Sequence, residues 1–212
     1  MPNSFRKSFS EETFNPAYIP IYGKYADQED KYLQYEFTKK RLSKFGNLAK
    51  VNLQDYRDID GKYNHIVSIE MFEALGEKYW KKYFKMLFSI LKPGGKLIIQ
   101  SITINNNDFF SYRKCSDFIQ QYIFPGGMLP SPKIFKDIAV KQGFIYSGDL
   151  EFGRDYGITL KRWEENFSSV LSKVKKLGFD DKFIRTWRFY LKYCQGGFEA
   201  KKISVFQFNF TK

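Results

Sequence analysis

The feature that most restricts the fold is a strand, a helix and a second strand following one another with little slack between residues 65 and 104. His65-Ile66-Val67-Ser68-Ile69 reads as a strand whose continuous apolar character is that of a parallel strand covered on both faces. From Glu77 to Leu91, Tyr79, Trp80, Tyr83, Phe84, Leu87, Ile90 and Leu91 recur at helical spacing, while Lys78, Lys81, Lys82 and Lys85 take the opposite face. Lys92-Pro93-Gly94-Gly95 stops that helix, and Lys96 to Ile104 is again an apolar strand. This order predicts the right-handed crossover unit of a parallel sheet. The glycines of the turn read as structural and not as a phosphate loop.

The flanking segments extend the same pattern. A helix is expected from Asp27 to Phe45 with Gly46 as its stop, then a short strand over Lys50 to Gln54 and a turn at Asp58-Ile59-Asp60-Gly61-Lys62. After a polar loop at Asn105 to Asp108 come a short helix over Asp117 to Tyr122, a breaker-rich loop from Phe124 to Pro132, and a helix from Pro132 to Gln142. A strand over Phe144 to Glu151, helices over Ile158 to Lys176 and Asp180 to Tyr193, and an alternating strand over Lys202 to Phe210 complete the reading. Residues 1–26 read as a loosely organised segment. The expected class is α/β: a partial Rossmann-like sheet with helices on both faces and a C-terminal antiparallel strand.

Composition narrows the partners. Lys and Arg number 35 against 23 Asp and Glu, a formal net charge of +12, which favours polyanions such as an anionic phospholipid membrane surface. The basic residues are scattered in twos and threes (Lys39-Lys40-Arg41, Lys81-Lys82, Lys175-Lys176, Lys201-Lys202) with no nucleic-acid-binding motif, so nucleic acid is not expected as a partner, and such runs also read as solvated helix faces. Cys115 and Cys194 have neither metal-ligand nor CxxC spacing, so neither a metal site nor a disulfide framework is expected, and a reducing cytoplasm is the default. Met1 to Pro20 lacks the apolar core of a signal peptide, and no apolar run is long enough to span a bilayer, so membrane contact is expected to be peripheral.

The chemistry is concentrated at the end of the first strand of the crossover. Val67-Ser68-Ile69-Glu70-Met71-Phe72-Glu73-Ala74-Leu75-Gly76 breaks from a strand into a turn bearing two carboxylates, at the edge where open α/β sheets bind ligands. Taken alone, Glu73 reads as a carboxylate favouring the first turn of the next helix, and Cys194 and Tyr156 read as core residues. His65, the sole histidine, has no partner with which to build a triad or metal site and reads as structural.

Several segments together resemble the cyclopropane-fatty-acyl-phospholipid synthases, S-adenosylmethionine-dependent enzymes of the class I methyltransferase fold. They are Asp55-Tyr56-Arg57-Asp58, Ile66 to Gly76, Leu91-Lys92-Pro93-Gly94-Gly95, Tyr122-Ile123-Phe124-Pro125-Gly126-Gly127, Phe152-Gly153-Arg154-Asp155-Tyr156 and Tyr190 to Phe198, in the family's order over about Tyr35 to Phe210. The resemblance implies methylene transfer from S-adenosylmethionine to the double bond of an unsaturated phospholipid acyl chain, with a bicarbonate ion as the base. It places Glu73, Tyr156 and Cys194 at the family's ion-binding glutamate, tyrosine and cysteine, and Ile102 where a backbone group contacts the ion. Gln100 stands where many members have histidine and keeps an amide donor that does not titrate. Asp55 and Tyr56 match the adenine side of the cofactor site. Residues of about 105–142 and 156–198 correspond to lipid-site helical insertions.

The front of the chain departs from the family. Class I methyltransferases bind the carboxypropyl end of the cofactor on a glycine-rich loop, because only glycine lets backbone approach a ligand that closely. The only glycine before Gly46 is Gly23. The resemblance therefore implies a truncated domain, residues 27–212, whose sheet begins at the family's third strand. Two functions are expected from it: the lipid-modifying enzyme, or a non-catalytic remnant acting as a lipid-binding or partner subunit, in a homo-oligomer or with a complementing chain.

Overall fold

A computed structural model describes residues 28–212, so the reading of residues 1–26 lies outside the described residues. The chain divides between Tyr63 and Asn64 into two compact units. In the first, α1 (Gln28–Leu42) ends on Lys39, Lys40 and Arg41, cations that complement the negative end of the helix dipole. α1 thus stops three residues before its expected end at Phe45, and a 3-10 segment over Ser43–Leu48 follows, kinked at Gly46, whose φ of 52° glycine adopts without strain. The strand expected over Lys50 to Gln54 does not form. That segment has no regular secondary structure, and the described residues give it no neighbouring strand with which to pair. Asp55 then caps a short 3-10 turn, Tyr56–Asp58, by accepting from the Arg57 backbone N–H.

The second unit holds a four-stranded sheet in the order β1-β2-β4-β3, built from β1 (Tyr63–Ile69), β2 (Leu91–Ile104), β3 (Ile145–Glu151) and β4 (Ile203–Thr211). β4 lies between β2 and β3 and is antiparallel to both, as its alternating sequence predicts. Among the described residues β1 is an edge strand. Ser68 faces α2 (Trp80–Ile90) and accepts from the Tyr83 hydroxyl at 2.7 Å, whereas Val67 and Ile69 are 48% and 63% exposed. The expectation that this strand is covered on both faces is thus corrected: a continuous apolar run does not reveal which face a neighbour covers.

β4 shows how the two layers are assigned. Phe206, Phe208 and Phe210 point to one face, where Phe208 stacks on Phe135 of α4 (Pro132–Lys141) at 4.3 Å between centroids and Phe210 packs edge-on to Phe84 of α2 at 6.3 Å. Phe84, Phe135, Phe208 and Phe210 form a buried aromatic core with Phe72, Trp80, Tyr83 and Phe144. Val205, in the opposite phase, packs with Leu160, Leu191 and Phe198 from α5 (Gly153–Ser169) and α7 (Asp181–Glu199). The helices therefore cover both sheet faces. Between α5 and α7 lies α6 (Leu171–Lys176), while α3 (Phe109–Tyr112) and a π-helical turn over Ile119–Ile123 precede α4. α5 begins five residues before its expected start because Gly153 lets it approach β4, and α7 continues through Gly196 and Gly197 to Glu199. A Cβ at Gly153 would lie 2.4 Å from Ser204 Oγ and 2.8 Å from Ser204 Cα.

Lys92-Pro93-Gly94-Gly95, expected as a turn before a strand beginning at Lys96, instead forms the first part of β2, where its glycines make structural contacts. A Cβ at Gly95 would overlap Leu91, and Gly94, at φ 73°, donates its N–H to the Lys212 carbonyl at 2.7 Å. The Lys212 ammonium in turn donates to the carbonyls of Phe88 and Leu91, which satisfies the end of α2. No helix among the described residues is long and apolar enough to cross a membrane.

Candidate active site

Glu73 sits on a 3-10 turn, Phe72–Ala74, pinned by Phe72, whose ring lies 4.7 Å from Phe135 and 5.2 Å from Trp80. Its carbonyl accepts from Met128 N–H at 2.9 Å, tying the breaker-rich loop before α4 to the same turn. The carboxyl points inward. Oε1 accepts from Ser101 Oγ at 3.0 Å and from the Ile102 backbone N–H at 2.5 Å, while the buried Oε2 has no hydrogen-bond partner among the described residues. Burial outweighs these bonds and pushes the Glu73 pKa from 4.5 up to about 7, with the charge of Glu70 adding to the rise.

Among the described residues, Glu70 is one of two non-glycine positions with positive φ, at 51°, and its backbone N–H donates to the Gln100 carbonyl at 2.9 Å. In this conformation its Oε1 accepts from Gln100 Nε2 at 2.8 Å and from the Tyr156 hydroxyl. Gln100 Nε2 also donates to the Tyr156 oxygen at 2.9 Å, and Gln207, its cross-strand partner on β4, donates to Gln100 Oε1 at 2.9 Å. Burial, then the bond to and charge of Glu70, then the charge of Glu73, raise the Tyr156 pKa, so its hydroxyl stays protonated. On α7 the Cys194 thiol is pushed up to about 12, by burial first and by the charge of Asp117 second.

The structure thus brings together the sequence-predicted residues of the second unit. Gln100 and Ile102 flank Ser101 on β2; Gln100 holds Tyr156, and Ile102 holds Glu73. Ile102, Tyr156 and Cys194 all pack on the cluster of Leu160, Leu191, Phe198 and Val205. The Ile102 backbone N–H, expected to contact an ion, donates to Glu73 here. Asp55 and Tyr56 belong to the first unit. Asp55 is bonded to Arg57 through both oxygens, at 2.6 and 2.9 Å, and Tyr56 is buried. An open groove of about 650 Å³ in that unit is lined, among the described residues, by Tyr35, Lys50 to Gln54, and Asp60. No group of three or more His, Cys, Asp or Glu among the described residues is placed to hold a metal.

Sequence reasoning underweighted Glu70 and missed Ser101 and Gln207. The signal for Gln207 was its phase: on β4 it alternates with the phenylalanines and falls on the Val205 side, where an apolar residue would be expected.

Comparison with known proteins decides the family. The model of the mycolic acid cyclopropane synthetase family matches residues 31–208. The chain belongs to that family. Among relatives, the tuberculostearic acid methyltransferase UfaA1 of Mycobacterium tuberculosis is 38% identical over 169 residues, covering 79% of this chain and 40% of that protein. The cyclopropane-fatty-acyl-phospholipid synthase of Escherichia coli K12 is 32% identical over 160 residues, covering 76% and 40%. The chain therefore spans about two fifths of the length of these two relatives. The cyclopropane synthase MmaA2 from Mycobacterium tuberculosis superposes with a TM-score of 0.76 at 24% identity, over 85% of this chain and 67% of that one. The cyclopropane synthase CmaA1, solved with SAH and CTAB, superposes equally well, and together these show the class I methyltransferase fold.

Proposed function

We propose that this chain takes part in S-adenosylmethionine-dependent methylene transfer to the double bond of an unsaturated phospholipid acyl chain. The observation that carries the reading is Glu73: a buried carboxyl, tuned to about 7, with one oxygen unpartnered among the described residues, at the carboxyl edge of a family-typical sheet. Unpartnered buried polar atoms are costly, and they persist where a ligand supplies the missing bond.

The residues fit a small oxyanion such as bicarbonate. When protonated, Glu73 turns Oε2 into a donor and removes a charge that would repel the anion. Ile102, whose N–H holds Glu73 Oε1, lies two residues along β2 from Gln100, which holds Tyr156, and Cys194, protonated at neutral pH, is a weak donor rather than a nucleophile. Bicarbonate would supply the base for the proton lost as the ring closes. The fit to S-adenosylmethionine, the methyl donor, is confined to the adenine side. Asp55 and Tyr56 follow in sequence the groove-lining residues Lys50 to Gln54 without lining the groove themselves, and no glycine-rich strand-to-helix turn is found among the described residues for the amino-acid end. That second observation favours an alternative in which the chain is a non-catalytic lipid-binding or partner subunit, in a homo-oligomer or with a complementing chain.

The formal charge of +12 and the exposed rings of Phe110, Tyr122 and Phe124 support approach to an anionic phospholipid surface, peripherally and from the cytoplasmic side. Fatty acids extracted from cells expressing the chain are expected to contain methylene-bridged species. Their absence, in a host where a full-length relative produces them, would overturn the enzyme reading. Calorimetry with S-adenosylhomocysteine separates the alternatives: micromolar binding by the chain alone counts against the subunit reading, and binding only after a partner is added supports it.

A further inference from the structure

We propose that the turn joining α6 to α7 is the part of this chain that enters an anionic membrane surface, with Leu177 and Phe179 as apolar pins and the neighbouring lysines holding the phosphates. The inference deepens the peripheral-membrane reading above and rests on it. Leu177 is 77% exposed, more than any other large hydrophobic side chain among the described residues, and Phe179 is 44% exposed. In sequence they are flanked by Lys173, Lys175, Lys176, Lys182 and Arg185 against two acids, Asp180 and Asp181. Both acids are occupied: Asp180 caps α7 by accepting from the Phe183 N–H at 2.7 Å, and Asp181 pairs with Lys175 at 2.7 Å. Lys173, Lys176 and Lys182 are exposed and enter no ion pair found among the described residues.

The turn meets an interface without first having to be ordered. The Leu177 N–H donates to the carbonyls of Lys173 and Val174, and Gly178, at φ 94°, donates to that of Lys175, which closes α6 with a left-handed cap. Phe179 stacks on Phe183 at 4.4 Å between centroids, and Phe183 stacks on Trp187 at 6.0 Å, so a ladder of rings along α7 holds the second pin. The N–H groups of Leu177, Gly178 and Phe183, which would be costly to take out of water unbonded, are already bonded within the turn and its caps. A single exposed leucine is ordinary on a protein surface. A leucine and a phenylalanine on one capped turn between exposed lysines form the pattern that binds where anionic headgroups meet acyl chains. A protein partner would need a broader surface than two side chains on a turn present.

Sedimentation of the purified full chain with sucrose-loaded vesicles of phosphatidylglycerol and phosphatidylcholine measures its partition onto the membrane. Each lysine near an anionic surface is worth about fivefold, so Lys173→Gln, Lys176→Gln and Lys182→Gln together should weaken partition by about a hundredfold. Leu177→Ser removes an exposed side chain, leaves the core intact, and should weaken it by about tenfold. A solvent-sensitive fluorophore on Leu177→Cys, in a Cys115→Ser background, should shift to the blue on these vesicles and not on vesicles of phosphatidylcholine alone. Partition that is unchanged in the lysine variant or in Leu177→Ser overturns the inference and leaves the peripheral reading standing. A label that stays in water while the chain sediments does the same. No binding of the wild-type chain to the anionic vesicles overturns both, and turns the lysines toward an acidic protein instead.

Discussion

Replacing Glu73 by glutamine converts the buried acid into a permanently neutral group of the same shape, and the two proteins should diverge with pH in a direction the structure dictates. Glu73 has its pKa raised from 4.5 to about 7 in the folded chain, chiefly by burial. The folded state therefore holds this proton more tightly than the unfolded state does. The associated stability is fully present below pH 4.5 and is lost as pH rises through about 7. At 1.36 kcal/mol per pKa unit, the loss is about 3 kcal/mol. The amide introduced by Glu73→Gln would keep an oxygen for Ser101 Oγ and the Ile102 N–H, and it carries no charge at any pH, so the variant escapes this loss. Urea denaturation of both proteins at about pH 5 and about pH 8 measures the difference. Near-equal stability is expected at the lower pH, and an advantage of about 3 kcal/mol for Glu73→Gln at the higher. A stability gap that is the same at both pH values would refute the claim that Glu73 is desolvated and titrates near neutrality.

Three further outcomes are expected. Phe135→Ala removes a fully buried ring that touches Phe72, Phe84 and Phe208, and should cost about 3–5 kcal/mol in chemical denaturation, with helices on both sides of the lesion losing hydrogen-exchange protection together. Gly153→Ala forces a methyl against Ser204 and should destabilise the chain by about 1–3 kcal/mol, and adding Ser204→Gly should recover part of the loss. Iodoacetamide in native buffer at about pH 8 should modify the exposed Cys115 well before Cys194, whose thiol is half-buried with its pKa pushed up to about 12. Peptide mass spectrometry reads the order, and equal rates would refute the burial assigned to Cys194.

The sequence carried the element order well because most elements announce themselves locally. Trp80, Tyr83, Phe84, Leu87 and Ile90 mark the buried face of α2 by spacing alone, and Lys92-Pro93-Gly94-Gly95 marks its end. Gly46 kinks the chain, but four residues past the end of α1, and the period-two pattern of β4 announced an antiparallel strand. The errors fall where a partner, rather than a period, decides. Lys50 to Gln54 has strand-like residues and, among the described residues, no strand to pair with, and β1 has an apolar sequence although one of its faces is open.

The candidate site divides the same way. Glu73, Gln100, Ile102, Tyr156 and Cys194 were identifiable as candidates through the family resemblance of the segments around them, and not from local sequence, which reads Glu73 as a helix-turn carboxylate and Tyr156 and Cys194 as core residues. Their roles were not. Whether Glu73 is an ordinary carboxylate or an acid tuned to about 7 depends on burial by Phe72 and on the residues of β2, far away in sequence. Whether Tyr156 donates or accepts depends on Glu70 and, through Gln100, on Gln207, which come together only when β1, β2, β4 and α5 are assembled. By itself the sequence determined the order of strands and helices and the kinds of side chain at the sheet edge, because backbone preference and amphipathic spacing act over a few residues. The tertiary structure alone decided desolvation and the direction of each hydrogen bond, because both are set by atoms that the chain brings in from a distance.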